Sequence, residues 1–159
     1  MPILKDVDER AHEVYCAEMA SGISILWPLS TVNDAQTLVD WLIKRPVWKK
    51  HSAVKKLVVS YAPHWDIDSS CGWTKEHLAD MDLTLGSLCI GTVAHEASHL
   101  ARRDLDNGHR YSFLRFQFAL IHEISDVVSE TILPRYAREL YLRNVVTGKE
   151  DWLKPFLTK

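Results

Sequence analysis

Apolar residues recur at helical spacing twice in the first third of the chain. In residues 6–19 they return every three or four positions, with acidic residues early, which predicts an amphipathic helix. Residues 34–45, "DAQTLVDWLIKR", show the same period and follow Asn33, a candidate N-cap. Between these segments, "GISILWP" (22–28) predicts a short strand ended by its proline.

The middle of the chain has the composition of a small sheet. Residues 56–62, "KLVVSYA", are rich in strand-forming side chains. Residues 71–77 and 80–86 flank a short turn, so we expect an antiparallel pair plus one further strand.

From residue 87 the apolar period becomes helical again. Residues 87–103 predict one helix, which stops before the strong turn signal "DNG". Beyond the turn, apolar residues at intervals of three and four predict one long helix over 109–133, interrupted by Pro134. The order of elements predicts one α+β domain over residues 1–159, with a small, mostly antiparallel sheet packed on the 87–103 helix and the long C-terminal helix.

Composition narrows the functional classes. The chain has 159 residues, 47% of them hydrophobic, which suits one core. With 19 Lys and Arg against 21 Asp and Glu, it has no basic surplus and gives no clear nucleic-acid signal. Three cysteines without a CxxC pair suggest a reducing compartment. Because no signal peptide or membrane span is evident either, we expect a cytoplasmic protein without membrane contact.

Residues 95–99 read "HEASH" and carry the clearest chemistry in the chain. On a helix His95 and His99 lie on the same face, so both imidazoles can bind one metal ion. Glu96 lies about 100° around the helix, where it can reach a water on the metal without binding the metal itself. This is the HExxH zinc signature, in which the metal acidifies a water and the glutamate takes its proton. A shuffled chain would contain the motif about 0.02 times.

A catalytic zinc usually takes a third protein ligand. His109, Glu123, Asp104 and Asp106 are the candidates. If residues 109–133 form one helix, Glu123 lies about 21 Å along its axis from His109, so only one of the two can bind the ion. We favour His109, because a reversing turn brings the start of that helix back to the metal. Glu123 is the alternative, and the two aspartates rank below it.

Residues 93–113, "VAHEASHLARRDLDNGHRYSF", resemble the HExxH and HxxxF pattern of SprT-like proteins and related minimal zincins. Over residues 8–146 the chain more closely resembles a small family from actinobacteria and their phages, whose members are assigned as HExxH metallohydrolases. The resemblance implies a zincin-like fold with Zn²⁺ as cofactor. It also implies that Glu96 is the catalytic base and that Phe113 holds the following helix. The implied metal ligands are His95, His99 and His109.

One departure from that family pattern affects the rim of the expected cleft. Relatives usually carry His-Gly-Pro-x-Phe where this chain has "HRYSF", so Arg110 and Tyr111 replace small turn residues. Either side chain adjoins His109 and is a candidate for polarising a substrate carbonyl.

The leading functional hypothesis is a small zinc metallopeptidase with a peptide or protein substrate. An alternative is a zinc-containing binding or regulatory protein without catalysis, for example a phage product that acts on a host partner. A weaker analogy with SprT-like proteins points to proteins attached to DNA, and the near-neutral charge argues against it. The sequence leaves the oligomeric state open.

Overall fold

The structure, a computed structural model, describes most of the chain. It covers residues 2–62, 69–84, 86, 88–101, 109, 111–146 and 152–157, with the backbone alone for residues 2–10. Its helices are α1 (Pro2–Ser21), α2 (Val32–Ile43), α3 (Pro46–His51), α4 (Ile90–Ser98), α5 (Tyr111–Ile124), α6 (Asp126–Leu142) and α7 (Lys154–Leu157). Its strands are β1 (Lys56–Tyr61), β2 (Ser70–Lys75) and β3 (Leu78–Leu83).

The three strands form a mixed sheet in the order β1-β3-β2. The tight turn at Glu76 and His77 makes β2 and β3 an antiparallel pair, whereas β1 runs parallel to β3 with Lys56 opposite Leu78. The expected antiparallel pair plus one strand is therefore confirmed. The expectation of a mostly antiparallel sheet is wrong, because one of the two pairings is parallel.

Helix α2 covers one edge of this sheet. The Gln36 side chain donates to the carbonyl of Leu57 at 2.9 Å and accepts from the amide of Val59 at 2.8 Å, which satisfies backbone groups at the β1 edge. Leu57 and Val59 point into the core together with alternate residues of β3. Strand β2 forms the opposite edge of the sheet and lies beside α4.

The chain between α1 and α2 is a turn, and the strand expected at 22–28 is wrong. Gly22 takes a left-handed conformation with φ of 88°, and residues 23–25 follow as a 3-10 turn. Pro28 makes only an isolated bridge with Cys89. At Gly91 in α4, an added Cβ would lie 1.7 Å from the carbonyl oxygen of Ile23, so this turn packs directly on the α4 backbone.

Helix α2 begins two residues earlier than the sequence predicts, at Val32 rather than at Asp34. Thr31, not Asn33, is its N-cap: the Thr31 hydroxyl accepts from the Asp34 amide, and the Asp34 carboxylate accepts from the Thr31 amide. This reciprocal capping box gives the backbone amides of Thr31 and Asp34 hydrogen-bond partners at the helix start. A cap at Asn33 would not provide them.

The long helix expected over 109–133 is wrong, because two helices meet at Ser125. Ser125 is extended, and its hydroxyl accepts from the Val128 amide and caps α6. Pro134, expected to interrupt the helix, lies buried inside α6, which continues to Leu142. The described residues thus form one α+β domain of seven α-helices and a three-stranded sheet, and none of these helices has the length and apolar character needed to cross a membrane.

Candidate metal centre

Helix α4 presents the first two histidines. Its N-terminus is fixed by Cys89, whose sulfur accepts from the Thr92 amide at 3.4 Å. His95 is buried on the last turns of the helix, and His99 follows as the C-terminal cap residue with helical backbone angles. The i,i+4 spacing therefore places the two rings side by side, with 5.2 Å between their centroids.

His109 joins this pair from the other side of the turn. It is buried just before α5, and the ligating nitrogens of His95, His99 and His109 all lie within 4.8 Å of one another. The Nε2 atoms of His95 and His109 are 3.2 Å apart. Two nitrogens bound to one tetrahedral ion at about 2.0–2.1 Å are separated by about 3.3 Å, so this distance suits shared coordination. The three imidazoles can hold a metal ion.

Aromatic rings enclose the three imidazoles. Phe113 is buried in the first turn of α5, with its centroid 5.0, 4.8 and 4.7 Å from the rings of His95, His99 and His109. Tyr15 of α1 stacks on His95 at 5.1 Å with an interplanar angle of 21°. These contacts restrict ring rotation and keep the imidazoles in one arrangement.

Glu18 belongs to the candidate site and was not predicted from the sequence. It is buried on α1, and His95 Nδ1 lies 2.5 Å from its Oε1. A carboxylate only accepts hydrogen bonds, so Nδ1 carries the proton and Nε2 faces the other histidines. One sequence signal was present: Val14 and Ala17 share the buried face of α1 with Glu18, which puts an acid on an otherwise apolar stripe.

The pKa values of His95 and His99 are shifted in opposite directions. Burial favours the neutral form of His95, but the charge of Glu18 and its hydrogen bond outweigh burial and raise the pKa of His95 above 6.5. Burial, with a smaller contribution from His95, lowers the pKa of His99 to about 3. His99 is therefore a neutral nitrogen donor over a wide pH range, as metal binding requires.

Glu96 lies beside the cluster, on the wall of an open cleft. The cleft has a volume of about 320 Å³, and its walls also include Tyr15, Thr92 and Ser69. Glu96 is buried, with 6% of its surface exposed. Burial chiefly, and then the charge of Glu96, raise the pKa of the Cys71 thiol on β2. The Glu96 carboxylate is thus close enough to Cys71 of the edge strand to act on its thiol electrostatically.

The other predicted site residues have different placements. Glu123, the alternative third ligand, lies near the far end of α5 and pairs with Arg45 at 2.5 Å, away from the three histidines. Tyr111 is half-buried at the start of α5 and packs against the core. Asp104, Asp106 and Arg110 lie outside the described residues.

Comparisons of this chain with protein families, with curated proteins and with solved structures returned no match. The function of this chain is therefore inferred from its site alone.

Proposed function

We propose that this protein is a zinc-dependent hydrolase, and specifically a small metallopeptidase. One observation carries the proposal: three imidazoles cluster beside an open cleft, and the cleft is lined by His95 and by the buried Glu96 of helix α4. Within the described part of the chain the cluster has three protein donors, which is the number typical of catalytic zinc, whereas structural zinc takes four.

The donor set favours zinc over harder cations. Imidazole nitrogens suit zinc, whereas magnesium and calcium prefer oxygen ligands. His95, His99 and His109 are the residues that would hold the ion, and the carboxylate of Glu18 adds a compensating negative charge next to it. When bound, such an ion supplies an acidified water and polarises a substrate carbonyl.

In this proposal Glu96 accepts the proton of the attacking water and returns it to the leaving amine. It follows His95 by one residue on α4, so its side chain projects about 100° around the helix from that of His95, where it could accept a proton from a metal-bound water. The cleft lies near the edge strand β2, where an extended peptide could pair its backbone with the strand. That edge is the observation that favours a peptide over a compact small substrate.

The metal prediction is tested on tag-free protein by elemental analysis after zinc reconstitution and dialysis. We expect about one zinc per chain in the wild type. His99→Ala should lose the metal, and Glu96→Gln should retain it. His12→Ala, which removes an exposed histidine of α1, is the matched control and should bind zinc as the wild type does. A wild-type protein without zinc after reconstitution would contradict the proposal.

Catalysis is tested separately with a broad peptide library read by mass spectrometry. Loss of a positioned base costs roughly 10²- to 10⁴-fold in rate, so cleavage by Glu96→Gln should fall by that factor at unchanged zinc content. If zinc binds but wild type and Glu96→Gln give the same product profile, the chain is a zinc-containing binding protein and the hydrolase proposal fails.

A further inference from the structure

A chain of buried polar side chains leads from the histidine cluster into the helical core. Gln117 of α5 donates from Nε2 to Glu18 Oε1 at 2.7 Å. The hydroxyl of Tyr136 on α6 lies 2.6 Å from Gln117 Oε1. Glu18 is 4% exposed, and Gln117 and Tyr136 are fully buried. None of the three was among the site residues predicted from the sequence.

The Glu18 carboxylate determines which group donates in each hydrogen bond between Glu18, Gln117 and Tyr136. Glu18 only accepts, so the amide group of Gln117, rather than its oxygen, must face it. The Gln117 oxygen then faces Tyr136, so the tyrosine must donate its proton. Burial chiefly, and then the charge of Glu18, raise the pKa of Tyr136 well above its usual range, which keeps that proton on the hydroxyl.

At its other end, the same carboxylate accepts from Nδ1 of His95. A neutral imidazole has one N–H, so a proton held at Nδ1 leaves the Nε2 lone pair free. This Nε2 is the atom that lies 3.2 Å from His109 Nε2. The hydrogen-bond chain therefore presents His95 to a metal in the tautomer that binding requires.

We propose that Glu18, Gln117 and Tyr136 form a positioning relay that holds His95 ready to bind the metal. The inference rests on the proposed metal site, and it adds that metal affinity depends on residues of α5 and α6 that do not touch the metal. If Tyr136 loses its hydroxyl, Gln117 no longer has a buried donor to fix its amide, and its oxygen can turn toward Glu18. The carboxylate then loses one of its donors and holds His95 less firmly.

The variants are chosen to separate the relay from simple packing. Tyr136→Phe removes one hydroxyl and keeps the ring that stacks on Phe118. Glu18→Gln keeps an oxygen acceptor but removes the charge. Leu140→Ala, a buried change on α6 outside the relay, controls for lost stability, and Tyr141→Phe controls for loss of an exposed hydroxyl on the same helix.

Two measurements are made on the full chain. Competition with a chelator gives zinc affinity, which should fall about 3- to 10-fold in Tyr136→Phe, as expected for one hydrogen bond. In Glu18→Gln it should fall about 10- to 100-fold, as for loss of a carboxylate that orients a ligand histidine. Long-range proton–nitrogen NMR of the metal-free protein, recorded at a pH above the raised pKa of His95 so that its ring is neutral, reports the His95 tautomer. We expect the Nδ1–H form in the wild type and in Leu140→Ala, and a mixture in Tyr136→Phe.

The outcomes separate this inference from the proposed function. Failure of the wild type to bind zinc would overturn the proposed function, while the tautomer measured without metal would still test the relay. An Nε2–H tautomer in the wild type would overturn the relay. So would equal zinc affinities in Tyr136→Phe and Tyr141→Phe, or a fall in Leu140→Ala as large as that in Tyr136→Phe.

Discussion

The close contact between α4 and the turn at residues 23–25 makes Gly91→Ala a direct test of what holds α4, the helix that carries His95, in place. Gly91 lies in the first turn of α4, and a Cβ there would lie 1.7 Å from the Ile23 carbonyl oxygen and 2.8 Å from its carbon. Both atoms belong to the backbone, so no side-chain rotation relieves the overlap. Either the turn or the helix must move by more than 1 Å.

Two effects of opposite sign compete in this variant. Helix propensity alone favours alanine over glycine by about 1 kcal/mol. The overlap opposes it, since overpacking costs about 1–3 kcal/mol. Separation also weakens the hydrogen bonds from Ile90 and Gly91 to the carbonyls of Trp27 and Leu26, worth about 1 kcal/mol each. We therefore expect a net destabilisation on the order of 2–4 kcal/mol.

Urea unfolding of metal-free protein, followed by far-UV circular dichroism, measures this loss. Gly72→Ala is the matched control: its Cβ meets nothing within 4 Å, so its stability should stay within about 1 kcal/mol of the wild type. Zinc affinity should fall only in Gly91→Ala, because His95 moves with the helix. A Gly91→Ala protein as stable as the wild type would refute the reasoning.

Three further predictions concern the cluster and its surroundings. The folded pKa of His99, about 3, lies below the ordinary 6.5, so its contribution to metal-free stability is complete above about pH 6.5 and is lost as pH falls toward 3. Urea unfolding across that range should show a loss of up to about 4 kcal/mol that His99→Gln removes. Phe113→Ala and Phe116→Ala should each cost about 3–5 kcal/mol in the same assay, but only Phe113→Ala should weaken zinc binding, because Phe116 packs on Trp48. Glu123→Gln should leave zinc content unchanged by elemental analysis and cost less than about 1 kcal/mol, since its ion pair is partly exposed.

The local part of the candidate site was predictable from the sequence. His95, Glu96 and His99 lie within five residues, and helix geometry alone fixes how their side chains project. The choice of His109 over Glu123 agrees with where the structure places them, although its premise of one helix over 109–133 was wrong. The choice required only that the helix after the turn begin near the histidines and continue unbroken as far as Glu123. The helix break at Ser125 comes after Glu123, so it does not affect the choice.

The helix break at Ser125 could not be predicted from the sequence, because the spacing of apolar residues is the same before and after it. Leu120 and Val128 are buried on either side of it, and their spacing of eight residues suits an unbroken helix equally well. In the sequence, a serine within an apolar repeat is equally compatible with a polar residue inside a continuous helix. Only the packing of α6 as a separate helix against α1 turns it into a cap.

The sequence by itself determined the local arrangement at one helix end: two histidines that could bind one metal ion, and a glutamate, at HExxH spacing. The tertiary structure decided what holds that pair, because Glu18 and Gln117 meet across 99 residues and Glu18 and His95 across 77. In sequence, a buried glutamate, glutamine or tyrosine looks the same as a solvated one on the polar face of a helix. Their roles follow only from which helix faces pack together, since that packing removes water and leaves each polar group with the others as its hydrogen-bond partners.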